Sequence, residues 1–424
     1  MDKNIIKSVI SDNIGEIVKY SLVSRDIKFE EAGNYVFAGI RRAGKSYLLF
    51  QRIQELLSRG IKHNEILYIN FEDERLSGMK SEDLNLLLEA HLEMYGVKPI
   101  FFLDEIQNVD GWEKFARRLA DSKYRVYITG SNAKMLSSEI QSTLGGRFIT
   151  IDVYPYNLKE YLTASDTNFS ANALSSTDGK AAMLKEFSNF FQFGSLPETL
   201  LFSTKRDYLN SIYQKIYLGD IAARHSVSNL QALRVMFKKL AECIRQPVSY
   251  NRIANIVSSA GTKISVNSVI NYIDYAKDAW LITAIQNIAG KIVEKETKPK
   301  YYFTDNGILN LFLVDGTTSL FENLVAVNLL RKYGRKDSVY FYHKEKEVDF
   351  YIPETATAIQ ACYNLESADG TAEREISALV KVSKVLECKK LMIITSETEK
   401  VIETNGRQIE VIPLWKWLLE GYQA

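Results

Sequence analysis

The residues from Gly39 to Ser46 have the types and spacing of a loop that holds phosphate groups. The run reads Gly-Ile-Arg-Arg-Ala-Gly-Lys-Ser and matches Gly-x-x-x-x-Gly-Lys-Ser/Thr at every fixed position. Glycines let successive backbone N–H groups curl around an anion, and a helix beginning near Lys45 adds its positive end. We expect the Lys45 ammonium between two phosphates and the Ser46 hydroxyl on Mg²⁺. The alternative is a chance glycine turn that opens a helix.

A second stretch with residues that could do chemistry is the apolar run from Ile100 to Leu103, which is followed directly by Asp104 and Glu105. Such a run predicts a buried strand of a parallel sheet, and ligands of these sheets bind at the carboxyl ends of the strands. Asp104 would hold Mg²⁺ directly or through water, and Glu105 would polarise the water that attacks a γ-phosphate. Taken alone, the pair could be an N-capping acid and a solvated glutamate.

Three further polar residues are candidates for sensing the γ-phosphate. Ser131 and Asn132 follow a β-prone stretch at 125–129, where a hydroxyl or amide could hydrogen-bond the phosphate or the attacking water. A polar loop after a strand is an equal alternative. Arg147 follows two glycines and could stabilise charge on a phosphate of its own or a neighbouring subunit. A surface arginine is the alternative there.

The elements that position these residues alternate between strands and helices. Strands are predicted at 35–38, 65–73, 100–103 and 125–129, and helices at 47–57, 81–95 and 112–122. One or two amphipathic helices are predicted within residues 1–30, packed against the nucleotide domain. This alternation predicts an α/β fold, a doubly wound parallel sheet with helices on both faces.

Composition narrows the class of protein. A length of 424 residues predicts two to four domains, and 46% hydrophobic with 25% charged residues is ordinary for a folded chain. The net charge of +1 gives no global attraction to nucleic acid or anionic membranes. The three cysteines and four histidines do not predict a zinc site, and the chain has neither an apolar run of about 20 residues nor a signal-peptide plan. We therefore expect a cytoplasmic protein.

Five motifs together resemble a known family. They are residues 39–46, 102–107 (Phe-Leu-Asp-Glu-Ile-Gln), 130–132, 145–148 and 193–198 (Phe-Gly-Ser-Leu-Pro-Glu). This set, with its Walker A and Walker B motifs, resembles the bacterial and archaeal AAA-type P-loop ATPases that carry a C-terminal domain of unknown function. The resemblance covers nearly the whole chain. It implies an additional-strand P-loop core, then a winged-helix region, then a restriction-endonuclease-like domain, but no particular substrate.

The region after the predicted sheet is helical. Residues 166–180 are small and polar and predict an exposed loop or insertion, and helices are expected from 181 to about 245. Residues 250–257 and 266–280 have a helix-turn-helix pattern. The outward face of its second helix carries Lys277 as its only cation beside Asp274 and Asp278, whereas a helix that reads DNA presents several Lys or Arg. This face favours packing against protein over DNA recognition.

In the last third, the resemblance implies that Glu322, Asp349 and Gln360 occupy the metal-binding positions of a nuclease fold. Cys362 stands where that pattern has a lysine, and Gln360 is a neutral ligand where a carboxylate would bind Mg²⁺ better. These departures indicate a nuclease-like domain without the chemistry. A basic cluster could contact a phosphate backbone, or could be a solvated helix end; its members are Arg331, Lys332, Arg335 and Lys336.

Together these features predict a Mg²⁺-dependent ATPase whose nucleotide state moves its C-terminal domains. The predicted domains are a P-loop ATPase domain at 1–205, a helical or winged-helix domain at 206–300 and an endonuclease-like domain at 301–424. The expected cofactors are ATP and Mg²⁺. Predicted catalytic residues are Glu105, Arg147 and Ser131, and predicted metal ligands are Ser46 and Asp104. The predicted nucleotide-binding residues are Gly39, Arg42, Ala43, Gly44, Lys45, Ser46 and Tyr47.

Two other functions stay open. One is a slowly hydrolysing, nucleotide-gated switch whose output is DNA or a protein partner bound through the C-terminal domains. The other is an active nuclease. A homo-oligomer is implied if Arg147 acts across subunits, and no membrane partner is expected.

Overall fold

The computed structural model describes residues 1–132, 135, 138–335, 337–367 and 369–420. Contacts divide the chain into an N-terminal unit, Met1–Tyr154 with Asp278–Trp280, and a C-terminal unit, Pro155–Lys277 with Leu281–Ala424. The predicted division into three domains at 205 and 300 differs from this grouping and stays a prediction. Within the described ranges, every helix is too short or too polar to span a bilayer.

A five-stranded parallel sheet forms the centre of the N-terminal unit. Its strands are β1 (Asn34–Ala38), β2 (Ile66–Asn70), β3 (Ile100–Asp104), β4 (Val126–Gly130) and β5 (Phe148–Asp152). The order is β2-β3-β4-β1-β5, and every pair is parallel. Strand β4 therefore lies between β1 and β3, as the additional strand of the resembled core does. The predicted α/β fold is confirmed, although β5 was not predicted.

Helices of the N-terminal unit cover the sheet, and they are α1 (Lys3–Ile17), α2 (Lys45–Ser58), α3 (Asn85–Tyr95), α4 (Trp112–Asp121) and α5 (Ser138–Leu144). Alternation along the strands gives the sheet two different faces. One face buries aliphatic and phenyl groups such as Phe101 and Leu103 in a core shared with Ile6 and Val9 of α1. The amphipathic N-terminal helix predicted to pack on this domain is thereby confirmed.

The other face of the sheet is an aromatic layer beneath α2. The ring of Tyr127 stacks on Phe102 at 4.7 Å and on Tyr35 at 5.7 Å between centroids. Arg52 of α2 is almost fully buried, donates from Nε to the Tyr127 hydroxyl at 3.1 Å and lies over the Phe29 ring. These contacts compensate the burial of the guanidinium and fix α2, with the loop before it, on the sheet.

The C-terminal unit combines a helical region with a mixed eight-stranded sheet. Its helices are α6 (Leu158–Ala164), α7 (Ala171–Ser175), α8 (Thr177–Phe193), α9 (Lys205–Gln214), α10 (Leu230–Glu242), α11 (Tyr250–Ser259), α12 (Val266–Asp278), α13 (Ile292–Thr297), α14 (Asn306–Asn310), α15 (Thr317–Tyr333), α16 (Thr371–Val382) and α17 (Leu414–Glu420). A π-helical segment, Lys215–Ala223, follows α9. Helices α11 and α12 confirm the predicted helix-turn-helix pattern. The predicted loop at 166–180 is wrong, because Ser170 and Ser176 cap the starts of α7 and α8.

The sheet of the C-terminal unit has the order β12-β13-β11-β10-β9-β8-β6-β7. Its strands are β6 (Ile282–Asn287), β7 (Lys300–Phe303), β8 (Tyr340–His343), β9 (Glu347–Ile352), β10 (Thr357–Ala361), β11 (Lys390–Thr395), β12 (Lys400–Thr404) and β13 (Arg407–Pro413). Strands β8 to β11 and helices α15 and α16 lie close to their predicted positions. Strand β7 pairs with β6, so the predicted boundary at residue 300 falls within a strand.

The Phe-Gly-Ser-Leu-Pro-Glu motif has a structural role inside the C-terminal unit. Asp305 caps α14 and also accepts a hydrogen bond of 2.8 Å from the Ser195 N–H. Gly194 has a φ of 71°, and a Cβ there would lie 2.1 Å from the Asp305 carboxylate. Only glycine fits this position. The motif is therefore explained by a close approach between the end of α8 and the start of α14.

Candidate active site at the end of the parallel sheet

The phosphate loop, residues 39–46, joins the end of β1 to the start of α2. A Cβ on Gly39 would lie 2.0 Å from the Val153 carbonyl, so the close passage of the chain beyond β5 requires glycine. Arg42 has a φ of 64°, a left-handed conformation that costs a side-chain-bearing residue about 1 kcal/mol or more. The loop is thus a tight, partly strained turn whose backbone leads directly into the N-terminus of a helix, as predicted.

The side chains of Lys45 and Glu105 are in contact beside the phosphate loop. The Lys45 side chain is buried, its Nζ donates to the Ile40 carbonyl at 3.3 Å, and it lies 3.4 Å from Glu105 Oε1. Because β1 and β3 are separated by β4 in the sheet, sequence spacing alone could not give this distance. The two residues predicted to bind phosphate and activate water therefore form an ion pair.

Asp104 is a buried carboxylate with three hydroxyl partners. Tyr68 donates to Oδ2 at 2.7 Å, Thr129 donates to Oδ1, and Ser46 also hydrogen-bonds this carboxylate. Burial raises the pKa of Asp104 above its ordinary value, the nearby Glu105 charge adds to this, and the three hydroxyls oppose it. A buried carboxylate whose charge is disfavoured gains from a cation beside it.

The oxygens of Ser46 and Asp104 fit a magnesium ion. Both are hard oxygen donors, and they are in contact at the carboxyl end of the sheet. A magnesium ion at a phosphate loop takes only one or two protein ligands and keeps water and phosphate oxygens for the rest. In the part of the chain that the structure describes, no group of three or more His, Cys, Asp and Glu could hold a metal ion.

Glu105 is held in one orientation by several partners. It has a φ of 53°, its N–H donates to Thr129 Oγ1 at 2.9 Å, and Gln107 Nε2 donates to its Oε2. The Ser131 hydroxyl also hydrogen-bonds Glu105, and Gln107 Nε2 lies 3.5 Å from that hydroxyl. Burial opposes the charge on Glu105, but Lys45, Gln107 and Arg41 outweigh burial and lower the pKa of Glu105. This carboxylate is ionised at neutral pH.

Arg147 is not brought to this site within one chain. It immediately precedes β5, whose first residue pairs with Asn34 at the start of β1, whereas the phosphate loop follows the end of β1. The five residues of β1 rise about 3.3 Å each, so the two ends of this strand are about 16 Å apart. The Arg147 guanidinium instead forms an ion pair with Asp121. This geometry does not support its contact with a phosphate in the same chain, and contact across subunits stays a prediction.

The remaining predicted residues lie on or beside the loop. Tyr47 is about half exposed and packs its ring edge against Tyr20 at 5.6 Å between centroids. Asn132 is buried at the end of β4, beside Ser131. The Ser131 hydroxyl hydrogen-bonds the Glu105 carboxylate. This contact favours a specific role for Ser131 over the alternative of an ordinary polar loop residue. Roles in binding and catalysis stay predictions for all of these residues.

Sequence reasoning missed four residues that organise the site: Tyr68, Thr129, Gln107 and Arg25. Thr129 is the penultimate residue of β4, the strand beside β3, so strand order could have placed it next to Asp104. Gln107 lies in the Asp-Glu-Ile-Gln motif but was given no role. Arg25 is buried and donates at 2.7 Å to both the Ala43 and the Tyr154 carbonyls, and nothing in its local sequence signals this.

Comparisons with known proteins agree with this arrangement. A family model described as an AAA domain matches residues 32–162, and a model described as a domain of unknown function (DUF8612) matches residues 184–319. The uncharacterized protein MJ1544 of Methanocaldococcus jannaschii is 36% identical, covering 99% of this chain and 96% of that protein. An uncharacterized protein of Haemophilus influenzae is 30% identical, covering 91% of this chain and 94% of that protein.

Among solved structures, the Walker-type ATPase PABY2304 of Pyrococcus abyssi is similar to this chain with a TM-score of 0.41 and 14% identity. That match covers 73% of this chain and 95% of the other. The relatives at 36% and 30% identity extend over nearly the whole chain, and the match to the AAA domain spans the phosphate loop and the acidic strand. The chain therefore belongs to the family of AAA-type P-loop ATPases that carry a C-terminal domain of unknown function.

Proposed function

We propose that this protein binds ATP with Mg²⁺ and hydrolyses it. The observation that carries the proposal is the convergence of Lys45, Ser46, Asp104 and Glu105 at the carboxyl edge of one sheet. Lys45 would bind the phosphates, Ser46 and Asp104 would hold Mg²⁺, and Glu105 would orient the attacking water. Bound Mg²⁺ would neutralise the charge on the phosphate oxygens.

The ion pair between Lys45 and Glu105 suggests how binding prepares hydrolysis. The phosphates would attract the Lys45 ammonium, which the structure holds 3.4 Å from Glu105 Oε1. Glu105 would then lose one of its partners but keep Gln107, Ser131 and the Thr129 contact to its backbone. The carboxylate would thereby become free to accept a proton from water while its orientation is preserved.

Arg147 would act only on the nucleotide of a neighbouring copy. Its guanidinium is about 40% exposed and bound to Asp121, far from the loop of its own chain. An arginine that stabilises transferring phosphate charge can be supplied in trans. This role requires a homo-oligomer, and it requires the Asp121 pair to open.

The movement of the C-terminal unit would start at the phosphate loop. Arg25 connects the Ala43 carbonyl in the loop to the Tyr154 carbonyl, and the next residue, Pro155, begins the C-terminal unit. The Tyr154 ring packs edge-on against Trp280, the other place where the chain passes between the units. A shift of the loop on nucleotide binding would therefore be transmitted to both connections.

The order of elements in the C-terminal unit supports the implied domain types. Helices α10, α11 and α12 followed by the antiparallel pair β6 and β7 have the plan of a winged helix. The succession α15, β8, β9, β10, α16, β11 is that of a restriction-endonuclease-like fold. We infer a protein partner rather than DNA for the outward face of α12, because Asp274 pairs with Lys277 at 3.3 Å.

The basic cluster at the C-terminal end of α15 gives no stronger case for DNA. The Arg331 guanidinium donates to the Pro155 carbonyl within the C-terminal unit. Lys336 lies outside the described residues. A nucleotide-gated switch that binds DNA therefore stays the second candidate function.

Steady-state ATP turnover tests the proposal directly. The purified protein should hydrolyse ATP with Mg²⁺, should lose activity in EDTA, and should lose ATP binding in the Lys45→Ala variant. Adding duplex and single-stranded DNA separates the two functions, because a DNA-gated switch would change its turnover with DNA. Calorimetry that detects no heat with ATP and Mg²⁺ would contradict both.

A further inference from the structure

Lys300, the first residue of β7, has its side chain fully buried among three carboxylates of the C-terminal unit. Its Nζ lies 3.1 Å from Glu322 Oε1, 2.7 Å from Glu347 Oε1 and 3.3 Å from Asp349 Oδ1. The carboxylates come from α15 and β9, two of the elements of the endonuclease-like succession. The ammonium thus lies at the centre of three carboxylates. Together, Lys300, Glu322, Glu347 and Asp349 form the lysine cluster.

The other polar groups of the lysine cluster are also engaged by protein atoms. Asp349 Oδ2 accepts from the Ala361 N–H at 3.0 Å, and the Tyr302 hydroxyl donates to Glu322 Oε1 at 2.8 Å. Gln360 accepts from the Asp349 N–H at 2.8 Å through Oε1 and donates to the Glu347 carbonyl at 3.1 Å through Nε2. The oxygen that Gln360 would offer to a metal ion is therefore committed to the strand beside it.

A divalent cation of the kind a nuclease-like fold implies does not fit this arrangement. One oxygen of each of Glu322, Glu347 and Asp349 already faces Lys300, whose positive charge would repel the cation. Three carboxylate groups lie within 3.3 Å of the Lys300 Nζ and stabilise the charged ammonium form of the side chain.

The position of Lys300 also excludes a catalytic role for it. A lysine that stabilises a scissile phosphate must reach that phosphate, and the side chain of Lys300 has no exposed surface. Its neighbours Glu322 and Tyr302 are buried too. The lysine that the family pattern places two residues after Gln360 is Cys362 here, so the positive charge comes from a different strand and points inward.

We propose that Lys300 is a built-in substitute for a divalent cation: its ammonium holds the carboxylates of the lysine cluster together and keeps metal ions out. The C-terminal unit is then stable without divalent metal and cuts no phosphodiester by a metal-dependent route. Removing the positive charge while keeping the carboxylates creates a site for Mg²⁺ or Mn²⁺ among hard oxygen ligands. This inference does not depend on the proposed ATPase activity.

Binding of Mn²⁺ to the nucleotide-free full chain, measured by electron paramagnetic resonance and by thermal unfolding, tests this inference. The wild type should bind no Mn²⁺ in the C-terminal unit, and any change of its Tm with MnCl₂ should be absent in Asp104→Asn. The variant Lys300→Met, which keeps the length of the side chain without its charge, should bind Mn²⁺ and gain several degrees of Tm in its presence. The double variant Lys300→Met with Asp349→Asn should lose that response, because it lacks one ligand.

Two outcomes would overturn the proposal. The first is Mn²⁺ bound to the wild type and released by Asp349→Asn but not by Asp104→Asn, a variant that identifies any ion held at the phosphate loop. The second is a folded Lys300→Met variant that binds no Mn²⁺. If Lys300→Met folds only when Mn²⁺ is present, the proposal is supported. If this variant folds in neither condition, the comparison of Mn²⁺ binding by the wild type and by Asp349→Asn decides: Mn²⁺ that the wild type binds and Asp349→Asn releases contradicts the proposal, and no such Mn²⁺ supports it.

Discussion

Arg25 is bound to Tyr154 through a hydrogen bond of 2.7 Å from its guanidinium to the backbone carbonyl. The same guanidinium donates at 2.7 Å to the Ala43 carbonyl of the phosphate loop. A single buried side chain therefore joins the loop to the residue at which the chain leaves the N-terminal unit.

Replacing Arg25 with lysine should separate nucleotide binding from the response of the C-terminal unit. A lysine cannot bridge two carbonyls as a planar guanidinium does. We expect ATP affinity to fall by at most about tenfold, because one lost hydrogen bond costs about 0.5–1.5 kcal/mol. The ATP-dependent change in tryptic cleavage of residues 155–424, followed by mass spectrometry, should disappear. Arg59→Lys, at an exposed position at the end of α2, is the matched control, and a full response in Arg25→Lys would contradict the coupling.

Glu105→Gln should bind ATP but hydrolyse it about 10²- to 10⁴-fold more slowly, the usual contribution of a general base. The amide keeps the shape of the side chain but cannot accept a proton from water. Binding is measured by calorimetry and turnover by phosphate release. Glu82→Gln, on an exposed turn of the N-terminal unit, controls for the loss of a charge. Unchanged turnover in Glu105→Gln would remove Glu105 from the mechanism.

Thr129→Val should lower the free energy of unfolding and raise the Mg²⁺ concentration needed for ATP turnover. The substitution keeps the volume but removes the hydroxyl that donates to Asp104 and accepts from the Glu105 N–H. Leaving buried polar groups without partners costs about 1–3 kcal/mol. Urea unfolding should show that loss, and half-maximal turnover should need more Mg²⁺. Thr150→Val, at an exposed position on β5, should change neither quantity.

Mixing two inactive variants tests whether Arg147 acts across subunits. Arg147→Ala lacks the arginine but keeps its phosphate loop, and Lys45→Ala has the opposite defect. If Arg147 acts in trans, the mixture should regain turnover that neither variant shows alone, because mixed assemblies contain complete sites. Light scattering with ATP should show an oligomer in the same conditions. Wild-type turnover in Arg147→Ala alone would mean that the Asp121 pair is its only role.

Cys362 should be unreactive in the folded protein. Burial raises the pKa of the Cys362 thiol to about 12, and the nearby Glu375 carboxylate adds to the shift. At pH 8.5 the thiol is protonated, so alkylation by iodoacetamide at this residue should be much slower than in urea. Mass spectrometry of the labelled peptide measures the rate. Rapid labelling in the native state would show that the region around the lysine cluster opens.

The sequence was sufficient for the features whose signal is local. The phosphate loop and the buried acidic strand ending at Asp104 depend on adjacent residues, so their strand, turn and helix could be predicted. The doubly wound sheet followed from the alternation of those elements. Strand β5 was missed because it is only half-buried and lacks the apolar run that revealed β3.

The unpredicted parts depend on strand order and register. The distance between Lys45 and Glu105 follows from the placement of β4 between β1 and β3, and the position of Arg147 follows from the pairing of β5 with β1. Lys300 was not predicted because its three partners lie 22 or more residues away in the chain, and nothing around it marks a buried charge. These contacts between side chains that are distant in sequence depend on tertiary packing alone.

Trp280 bears on how the nucleotide-binding half can be produced alone. A fragment ending at residue 154 would omit Asp278–Trp280, although these residues group with that half. It would therefore present the Tyr154 ring to water without its aromatic neighbour, beside the carbonyl that Arg25 holds. Truncation at this point is expected to yield poorly soluble material.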